Sequence, residues 1–311
     1  MSDRTLRLAT RASPLARFQA DLVASRLRAI DPGREVEIVV VETTGDQRAD
    51  VPISAFAEHG VFVVEVERAV LDGAADVAVH SAKDLPAGSP PEGLVLAAVP
   101  DRVDARDALV GRPLAALAPG ATVATGAVRR RAQLAAARPD LDFAELRGNI
   151  ATRLERVPAG GAVVVALAAL LRLGLEGRAA EVLPTSVVLP QVGKAAIALR
   201  CRLDDAEAFE RLAAIDDLAA HRSVLAERAF LARLGGGCDA PVGAHASPVD
   251  PSDPGGELAI EGLIASEDGS TVLRRSAQGR DPEVLGASLA SQLVDLDGGD
   301  RLVGGGWSPR A

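Results

Sequence analysis

The sequence has few aromatic residues, cysteines and lysines, and it lacks a long uncharged apolar run. Aromatic residues make up 2% of its 311 residues and tyrosine is absent, so aliphatic side chains must fill its cores. The only cysteines, Cys201 and Cys238, are too few for a disulfide framework and have no partner at metal-ligand spacing. We therefore expect no metal site and a reducing compartment.

No segment predicts a membrane span or an export signal. The first ten residues contain no apolar stretch, and the apolar run Gly160–Leu171 is shorter than the roughly 20 residues that cross a bilayer. The formal charge of −9 argues against nucleic acid as a partner, because binding to phosphates needs a basic surface. These absences predict a cytoplasmic globular protein that binds neither membrane nor nucleic acid.

The basic residues are almost all arginines. Of 34 basic residues only Lys83 and Lys194 are lysines. The planar fork of arginine suits carboxylate or phosphate ligands. Genome base composition is the plainer explanation of the bias, and a single arginine is most often a solvated surface residue.

Strand and helix patterns alternate over the first 200 residues, which predicts an α/β fold. Apolar strands are expected at Leu6–Thr10, Val36–Val41 and Ala75–His80. Ser13 and Pro14 begin a helix between the first two strands. That helix is expected to bury six apolar residues, which are Leu15, Phe18, Leu22, Val23, Leu27 and Ile30.

A second α/β region is predicted after a linker at Val99–Asp107, and a small α+β domain ends the chain. The second region contains the apolar strand Val163–Leu167, and a hinge is expected at 189–194. Residues 204–234 read as two helical pieces. The elements expected after them are strands at 242–246, 257–264 and 271–277 and a helix over 282–295.

Polar side chains follow several predicted strands at the point where each strand ends. His80, Ser81, Lys83 and Asp84 follow the third strand, where open α/β sheets bind ligands. A basic run, Arg129–Arg131, begins the helix after another strand, and arginines recur at later strand-to-helix junctions. Such junctions favour anions. A local ion pair and solvated arginines remain the alternative for each motif taken singly.

Cys238 follows three glycines, Gly235 to Gly237, which end a helical pattern. Glycine permits backbone conformations closed to other residues, so the thiol can project into open space. A small apolar residue beside a helix end is the plainer interpretation of an isolated cysteine.

Taken together, the motifs of this chain resemble those of the porphobilinogen deaminases, also called hydroxymethylbilane synthases. The motifs that carry the resemblance are RLATRASPLA (7–16), TTGD (43–46), ADVAVHSAKDLP (75–86), the pair Arg129–Arg130, LRGNIATRL (146–154), RLGLEGR (172–178), CRLDD (201–205) and AERAFLARLGGGCDAPVGA (226–244). They follow one another over nearly the whole chain, which makes the match specific.

The resemblance implies two α/β domains like those of periplasmic binding proteins and a small C-terminal α+β domain. Domain 1 would comprise 1–98 and 196–216, domain 2 would comprise 103–191, and domain 3 would comprise 218–305. It also implies a monomer with a dipyrromethane cofactor bound to Cys238 by a thioether. The implied reaction joins four porphobilinogen molecules head to tail with loss of ammonia and releases hydroxymethylbilane.

The resemblance further implies roles for individual residues. Asp84 matches the catalytic aspartate, whose carboxylate favours positive charge developing on a pyrrole. The residues that match cofactor-binding positions, besides Cys238, are Ser81, Lys83, Thr125, Arg129 and Arg130. The residues that match substrate-binding positions are Arg11, Ser13, Gln19, Arg147, Arg153 and Arg172.

Some positions depart from the pattern of the family. The loop that contains Ala55 and His59 has no lysine, Ala127 removes a hydroxyl, and Lys194 and Ala195 replace glutamine and glycine. Lys194 is a candidate to restore lost positive charge near the bound carboxylates. The departures leave two alternatives, a divergent paralogue of low activity and a two-lobed anion-binding protein without catalysis.

Overall fold

The computed structural model describes residues 4–43, 63–235 and 241–302, and the chain divides into two compact units. Unit 1 comprises Met1–Arg102 and Ala196–Val224, and unit 2 comprises Val103–Ala195 and Leu225–Ala311. Each unit contains a five-stranded sheet, and unit 2 also contains a three-stranded sheet.

The sheet of unit 1 is parallel except for one strand. Its strands are β1 (Leu6–Arg11), β2 (Val36–Val41), β3 (Val77–Ser81), β4 (Leu94–Arg102) and β10 (Ala196–Arg202), in the order β2-β1-β3-β10-β4. Strand β1 pairs in parallel with β2 and β3, whereas β10 runs antiparallel to both β3 and β4. The helices are α1 (Pro14–Ile30), α2 (Val64–Leu71), α6 (Ala206–Ala213) and α7 (Leu218–Arg233), the last of which continues into unit 2.

The five-stranded sheet of unit 2 has the same plan. Its strands are β5 (Asp107–Gly111), β6 (Thr122–Ala124), β7 (Asp142–Ala144), β8 (Ala162–Ala166) and β9 (Glu181–Val182), in the order β7-β6-β8-β5-β9. Strands β6, β7 and β8 are parallel, and β5 is antiparallel to β8 and β9. The helices of this part are α3 (Val128–Ala137), α4 (Ile150–Glu155) and α5 (Leu167–Arg172).

The C-terminal part of unit 2 is an antiparallel sheet covered by helices. Its elements are β11 (Val242–Pro248), β12 (Leu258–Ala265), β13 (Val272–Gly279) and α8 (Pro282–Asp295). Phe230 of α7 and Leu289 of α8 are fully buried in one core with residues of this sheet. Gly262 of β12 is required there, because a Cβ at this position would lie 2.5 Å from the Phe230 ring.

The predicted fold class is confirmed, since two α/β sheets precede a small α+β region. The predicted linker at 99–107 is wrong at both ends. Strand β4 continues to Arg102, because it pairs with β10 as far as Ala196, and β5 begins at Asp107. The expected buried face of α1 is also partly wrong, because Phe18 and Ile30 are 39% and 56% exposed.

The residues that α1 does bury are Gln19, Ala20, Val23, Ala24 and Leu27. This stripe has the helical spacing, but small and polar residues fill part of it because the helix packs closely on the sheet. No helix within the described ranges is long and apolar enough to cross a membrane. Those ranges also contain no group of three or more His, Cys, Asp or Glu side chains able to hold a metal ion.

Candidate functional site

Unit 2 contains a buried carboxylate that is shared by three cations. Asp107 is 0% exposed, and its Oδ1 accepts hydrogen bonds from Arg130 Nη2 at 2.7 Å and from Lys194 Nζ. Its Oδ2 accepts a hydrogen bond from Arg129 Nη2 at 3.1 Å. We call these four residues the Asp107 cluster.

Local sequence explains how the two arginines reach Asp107. Both lie in the first turn of α3, which follows β6 after the short turn Thr125–Gly126. Gly126 permits this turn, because a Cβ there would lie 2.5 Å from the carbonyl oxygen of Leu146. Ala127 is the N-cap residue and makes no side-chain capping bond, so the start of α3 presents backbone N–H groups without a side-chain acceptor at that position.

The Asp107 cluster carries an excess of positive charge. Burial raises the pKa of Asp107, but Arg130, Lys194 and Arg129 outweigh burial and hold that pKa well below its usual range. Burial lowers the pKa of Lys194 well below its usual value, although Asp107 opposes the shift. Burial likewise lowers the pKa of Arg129. The two guanidinium groups by themselves exceed the one carboxylate, so the cluster favours an additional anion.

The cluster fits a ligand with carboxylate groups, such as the dipyrromethane that the resemblance implies. Arg130 is 8% exposed, and its Nε has no hydrogen-bond partner among the described residues. A buried donor without an acceptor is costly, and a ligand oxygen would satisfy it. The remaining hydrogen bonds preorganise the arginines, because Arg129 Nη1 donates to Leu189 O and Arg130 Nη1 donates to Val164 O at 3.1 Å.

The other predicted site residues of unit 2 differ in burial. Thr125 is buried, and its Oγ1 accepts a hydrogen bond from the backbone N–H of Ala127 at 3.3 Å. Arg153 donates from Nε to Gly148 O at 2.7 Å. Burial, together with the charge of Arg130, lowers the pKa of Arg153.

Arg147 and Arg172 do not belong to the Asp107 cluster. Arg147 is exposed and its Nη2 lies 3.3 Å from Glu145 Oε1. Arg172 is buried at the end of α5 and donates from Nη2 to the carbonyl oxygen of Ala195 at 2.7 Å. Arg172 therefore holds the backbone next to Lys194.

In unit 1, Lys83 and Asp84 lie in a single turn of 3-10 helix, Ala82–Asp84, directly after β3. Lys83 Nζ lies 3.8 Å from Asp84 Oδ1, and the two side chains are 39% and 31% exposed. Both groups are thus accessible to a ligand. Ser81, the last residue of β3, lies in hydrogen-bond contact with the buried Gln19, with 2.9 Å between Gln19 Nε2 and Ser81 Oγ.

Arg11 and Ser13 lie where β1 leads into α1. Ser13 is the N-cap of α1, and its Oγ accepts a hydrogen bond from the backbone N–H of Ala16 at 3.3 Å. Strands β1 and β3 are parallel neighbours, so the end of β1 lies beside the end of β3. The candidate residues of unit 1 thus share one edge of its sheet.

A buried charged group lies behind this edge. Arg200 of β10 is 1% exposed and donates from Nη1 to Glu67 Oε1 on α2. His80 Nε2 lies 3.8 Å from the same oxygen. Burial, with the charges of Arg200 and Arg11, lowers the pKa of His80 to about 3. His80 is therefore neutral at physiological pH and supports the strand that leads to Asp84.

Cys238 and the departures at Ala55 and His59 lie outside the described residues. The structure describes both ends of the cysteine-bearing segment, up to Gly235 and from Pro241.

The chain after Cys238 contacts the segment that precedes Lys194. Ala244 N donates to Pro190 O at 3.1 Å, and a Cβ on Gly243 would lie 2.8 Å from that oxygen. Glu227 is fully buried and accepts hydrogen bonds from Gly193 N at 2.7 Å and Ala246 N at 2.8 Å. The C-terminal sheet thus anchors the backbone next to the Asp107 cluster.

Sequence analysis missed Asp107, Glu67, Arg200 and Glu227. Asp107 falls in a segment of alternating acidic and basic residues that we interpreted as a linker. Glu67, Arg200 and Glu227 lie inside regular elements, where a charged residue normally faces solvent. No local pattern identifies such a residue as buried, because its partner comes from a distant part of the chain.

Family models match most of the chain. A model described as "Porphobilinogen deaminase, dipyromethane cofactor binding domain" matches residues 6–210. A second, "Porphobilinogen deaminase, C-terminal domain", matches residues 221–295.

Curated relatives are similar over almost their full length. The porphobilinogen deaminase of Roseiflexus sp. (strain RS-1) is 46% identical over 307 residues, covering 97% of this chain and 99% of the relative. The porphobilinogen deaminase of Roseiflexus castenholzii (strain DSM 13941 / HLO8) is 45% identical with the same coverage.

Solved structures are similar only at low identity. Immunogenic lipoprotein A from Vibrio vulnificus has a TM-score of 0.40 at 14% identity, covering 68% of this chain and 94% of that structure. Lipoprotein Tp32 from Treponema pallidum has a TM-score of 0.42 at 14% identity, with coverages of 69% and 91%.

Proposed function

The chain belongs to the porphobilinogen deaminase family, and we propose that it catalyses the condensation of four porphobilinogen molecules to hydroxymethylbilane. Four molecules of ammonia leave and one molecule of water enters, so the reaction is a transfer of pyrrole units in tetrapyrrole synthesis. The observation that carries this proposal is the excess positive charge of the buried Asp107 cluster, with Arg130 Nε left to bind an anion.

Dipyrromethane is the cofactor of this family, and Cys238 is the proposed attachment residue. When bound, the group supplies the terminal pyrrole carbon at which the product chain grows. Arg129 and Arg130 would hold its carboxylates, since their guanidinium groups are buried and oriented by Asp107. Thr125, Ser81 and Lys83 complete the proposed cofactor-binding set.

Asp84 is the proposed catalytic residue. Its carboxylate is accessible, and Lys83 holds it at 3.8 Å without burying it. A carboxylate placed beside a pyrrole N–H stabilises the positive charge that develops as ammonia departs from the substrate. Lys83 balances that carboxylate between turnovers and can bind a substrate carboxylate when Asp84 turns to the pyrrole.

Substrate carboxylates are proposed to bind six further residues in two groups. These are Arg11, Ser13 and Gln19 in unit 1 and Arg147, Arg153 and Arg172 in unit 2. Arg172 and Gln19 are buried and already hydrogen-bonded, so we expect them to orient their neighbours more than they bind substrate. Arg147 is exposed and is the freest of the group to reach a growing product.

The test of this function is an intact mass of the purified protein, with Cys238→Ser as the control. We expect the parent to exceed its sequence mass by two linked pyrrole units, to give a positive Ehrlich colour and to release ammonia from porphobilinogen. The variant should show none of these. An unmodified parent that binds porphobilinogen without releasing ammonia would favour the anion-binding alternative, and a modified parent with slow turnover would favour the low-activity paralogue.

A monomeric state and a cytoplasmic location complete the proposal. The monomer is checked by light scattering of the loaded protein, for which a mass near 31.9 kDa is expected. Fractionation of cells that express the native chain checks the location.

A further inference from the structure

Lys194 shares one carboxylate oxygen with Arg130. It is one of only two lysines, is 2% exposed, and donates from Nζ to Asp107 Oδ1. Arg130 Nη2 donates to the same oxygen at 2.7 Å. Lys194 and Arg130 therefore share Oδ1, while Arg129 binds Oδ2.

The backbone around Lys194 is held on both sides. Gly193 N donates to Glu227 Oε2 at 2.7 Å, and Lys194 N donates to Gln191 O at 3.1 Å. The carbonyl oxygen of Ala195 accepts the hydrogen bond from Arg172. These bonds direct the Lys194 side chain at Asp107, so Lys194 acts on the arginines through that carboxylate.

A neutral side chain at position 194 would change the electrostatics of the cluster. Asp107 would then face only the two guanidinium groups and would lose the hydrogen bond from Lys194 Nζ. Charges a few ångströms apart in a protein interior interact strongly, because little water screens them. Lys194 attracts Asp107 and repels the two arginines, and this repulsion makes the arginines more attractive to an anion.

We propose that Lys194 is a positioning residue for the cofactor: by occupying Asp107 Oδ1 it leaves more of the charge of Arg129 and Arg130 for the carboxylates of dipyrromethane. The identity of this anion rests on the proposed function. Lys194 binds no ligand directly in this arrangement, which sharpens the expectation from sequence that it restores positive charge near the carboxylates.

The test compares thermal unfolding of unloaded and dipyrromethane-loaded protein. Unloaded protein is produced in cells that make no porphobilinogen, and mass spectrometry confirms the state of each sample. The variants are Lys194→Gln and Lys194→Met, both of which remove the charge. Arg131→Gln is the matched control. Arg131 is an exposed basic residue that lies on α3 next to Arg129 and Arg130.

We expect both Lys194 variants to melt at or above the parent temperature when unloaded. The rise in melting temperature on loading should be smaller than in the parent by about 3 °C or more, because the arginines hold the attached carboxylates less strongly. Arg131→Gln should match the parent in both states.

Two results would overturn the role of Lys194. One is a rise on loading equal to that of the parent, whether or not the melting temperatures of both forms fall together. The other is a failure of both variants to fold, since this indicates that Lys194 only supports the structure. A parent protein without the dipyrromethane mass contradicts the proposed function instead, so the two failures are distinguishable.

Discussion

The two five-stranded sheets share a strand order, but the charged residues at their candidate sites differ in burial. In unit 1 the antiparallel strand is β10, and in unit 2 it is β5; each occupies the fourth position of its sheet. The charged residues after β3 in unit 1, Lys83 and Asp84, form one half-exposed pair. In unit 2, Asp107 lies at the start of β5, and its fully buried carboxylate binds two arginines and Lys194.

This difference separates two tasks. A half-exposed carboxylate can change partner during a reaction, because water stabilises it in each arrangement. A buried cluster cannot rearrange at low energy, because each charge depends on the others. The site of unit 2 is therefore suited to holding a permanent group, and that of unit 1 to repeated chemistry.

The largest expected effect comes from removing the carboxylate of the buried cluster. Asp107→Asn leaves three cations without an anion, so we expect the unfolding free energy to fall by about 3–5 kcal/mol. Urea denaturation measures this loss. Asp104→Asn is the control, because Asp104 pairs with Arg106 at the surface and should change stability by about 1 kcal/mol or less. Equal effects of the two variants would remove the contrast between buried and exposed charge.

Asp84→Asn should spare stability and remove activity. Loss of the charge that stabilises a transition state typically slows an enzyme roughly 100- to 1,000-fold, whereas a half-exposed side chain contributes little to folding. Ammonia release from porphobilinogen measures the rate, and urea denaturation measures the stability. Asp21→Asn on the exposed face of α1 is the control and should retain full activity. An active Asp84→Asn variant contradicts the assignment.

His80 predicts a pH dependence of stability that originates in unit 1. Its pKa is about 3 in the folded protein and about 6.5 when unfolded, so between these values only the unfolded state binds the proton. The contribution of His80 to stability is complete above pH 6.5 and is lost as the pH falls towards 3. Between pH 7.5 and 5.5 this loss amounts to about 1.4 kcal/mol.

Between those two pH values the unfolding free energy of His80→Asn should therefore fall by about 1.4 kcal/mol less than that of the parent. Urea denaturation at each pH measures both values. The direct effect of the substitution on the unfolding free energy cancels, because only the difference between the two pH values is compared. His221→Asn, at a partly exposed histidine, shows whether loss of any histidine has the same result. Parallel pH profiles of the parent and His80→Asn would mean that His80 accepts a proton in the folded protein.

The smallest expected effect is at Ala195, next to the Asp107 cluster. Ala195 has φ of 68°, the only positive φ of a non-glycine residue in the described ranges. This conformation favours glycine, so Ala195→Gly should stabilise the protein by up to about 1 kcal/mol in thermal unfolding. Ala136→Gly, in α3, should instead destabilise it by about 0.5–1 kcal/mol. Destabilisation by both substitutions would show that the positive φ of Ala195 does not destabilise the folded protein.

Local sequence patterns predicted most elements, because capping and periodicity are local. Val36–Val41 and Pro282–Asp295 have the predicted bounds, and Ser13 is the N-cap where expected. The antiparallel direction of β10 and the end of β4 were not predictable, since both depend on pairing between residues about 100 positions apart.

The sequence alone predicted the chemistry, because the local motifs around Asp84, Arg129 and Cys238 resemble those of one family. It also determined the family. Only the tertiary structure decided that Asp107 binds both arginines and that Lys194 is buried against it. The physical reason is that burial and charge pairing arise when segments such as 107 and 194 meet, and no property of either segment records its partner.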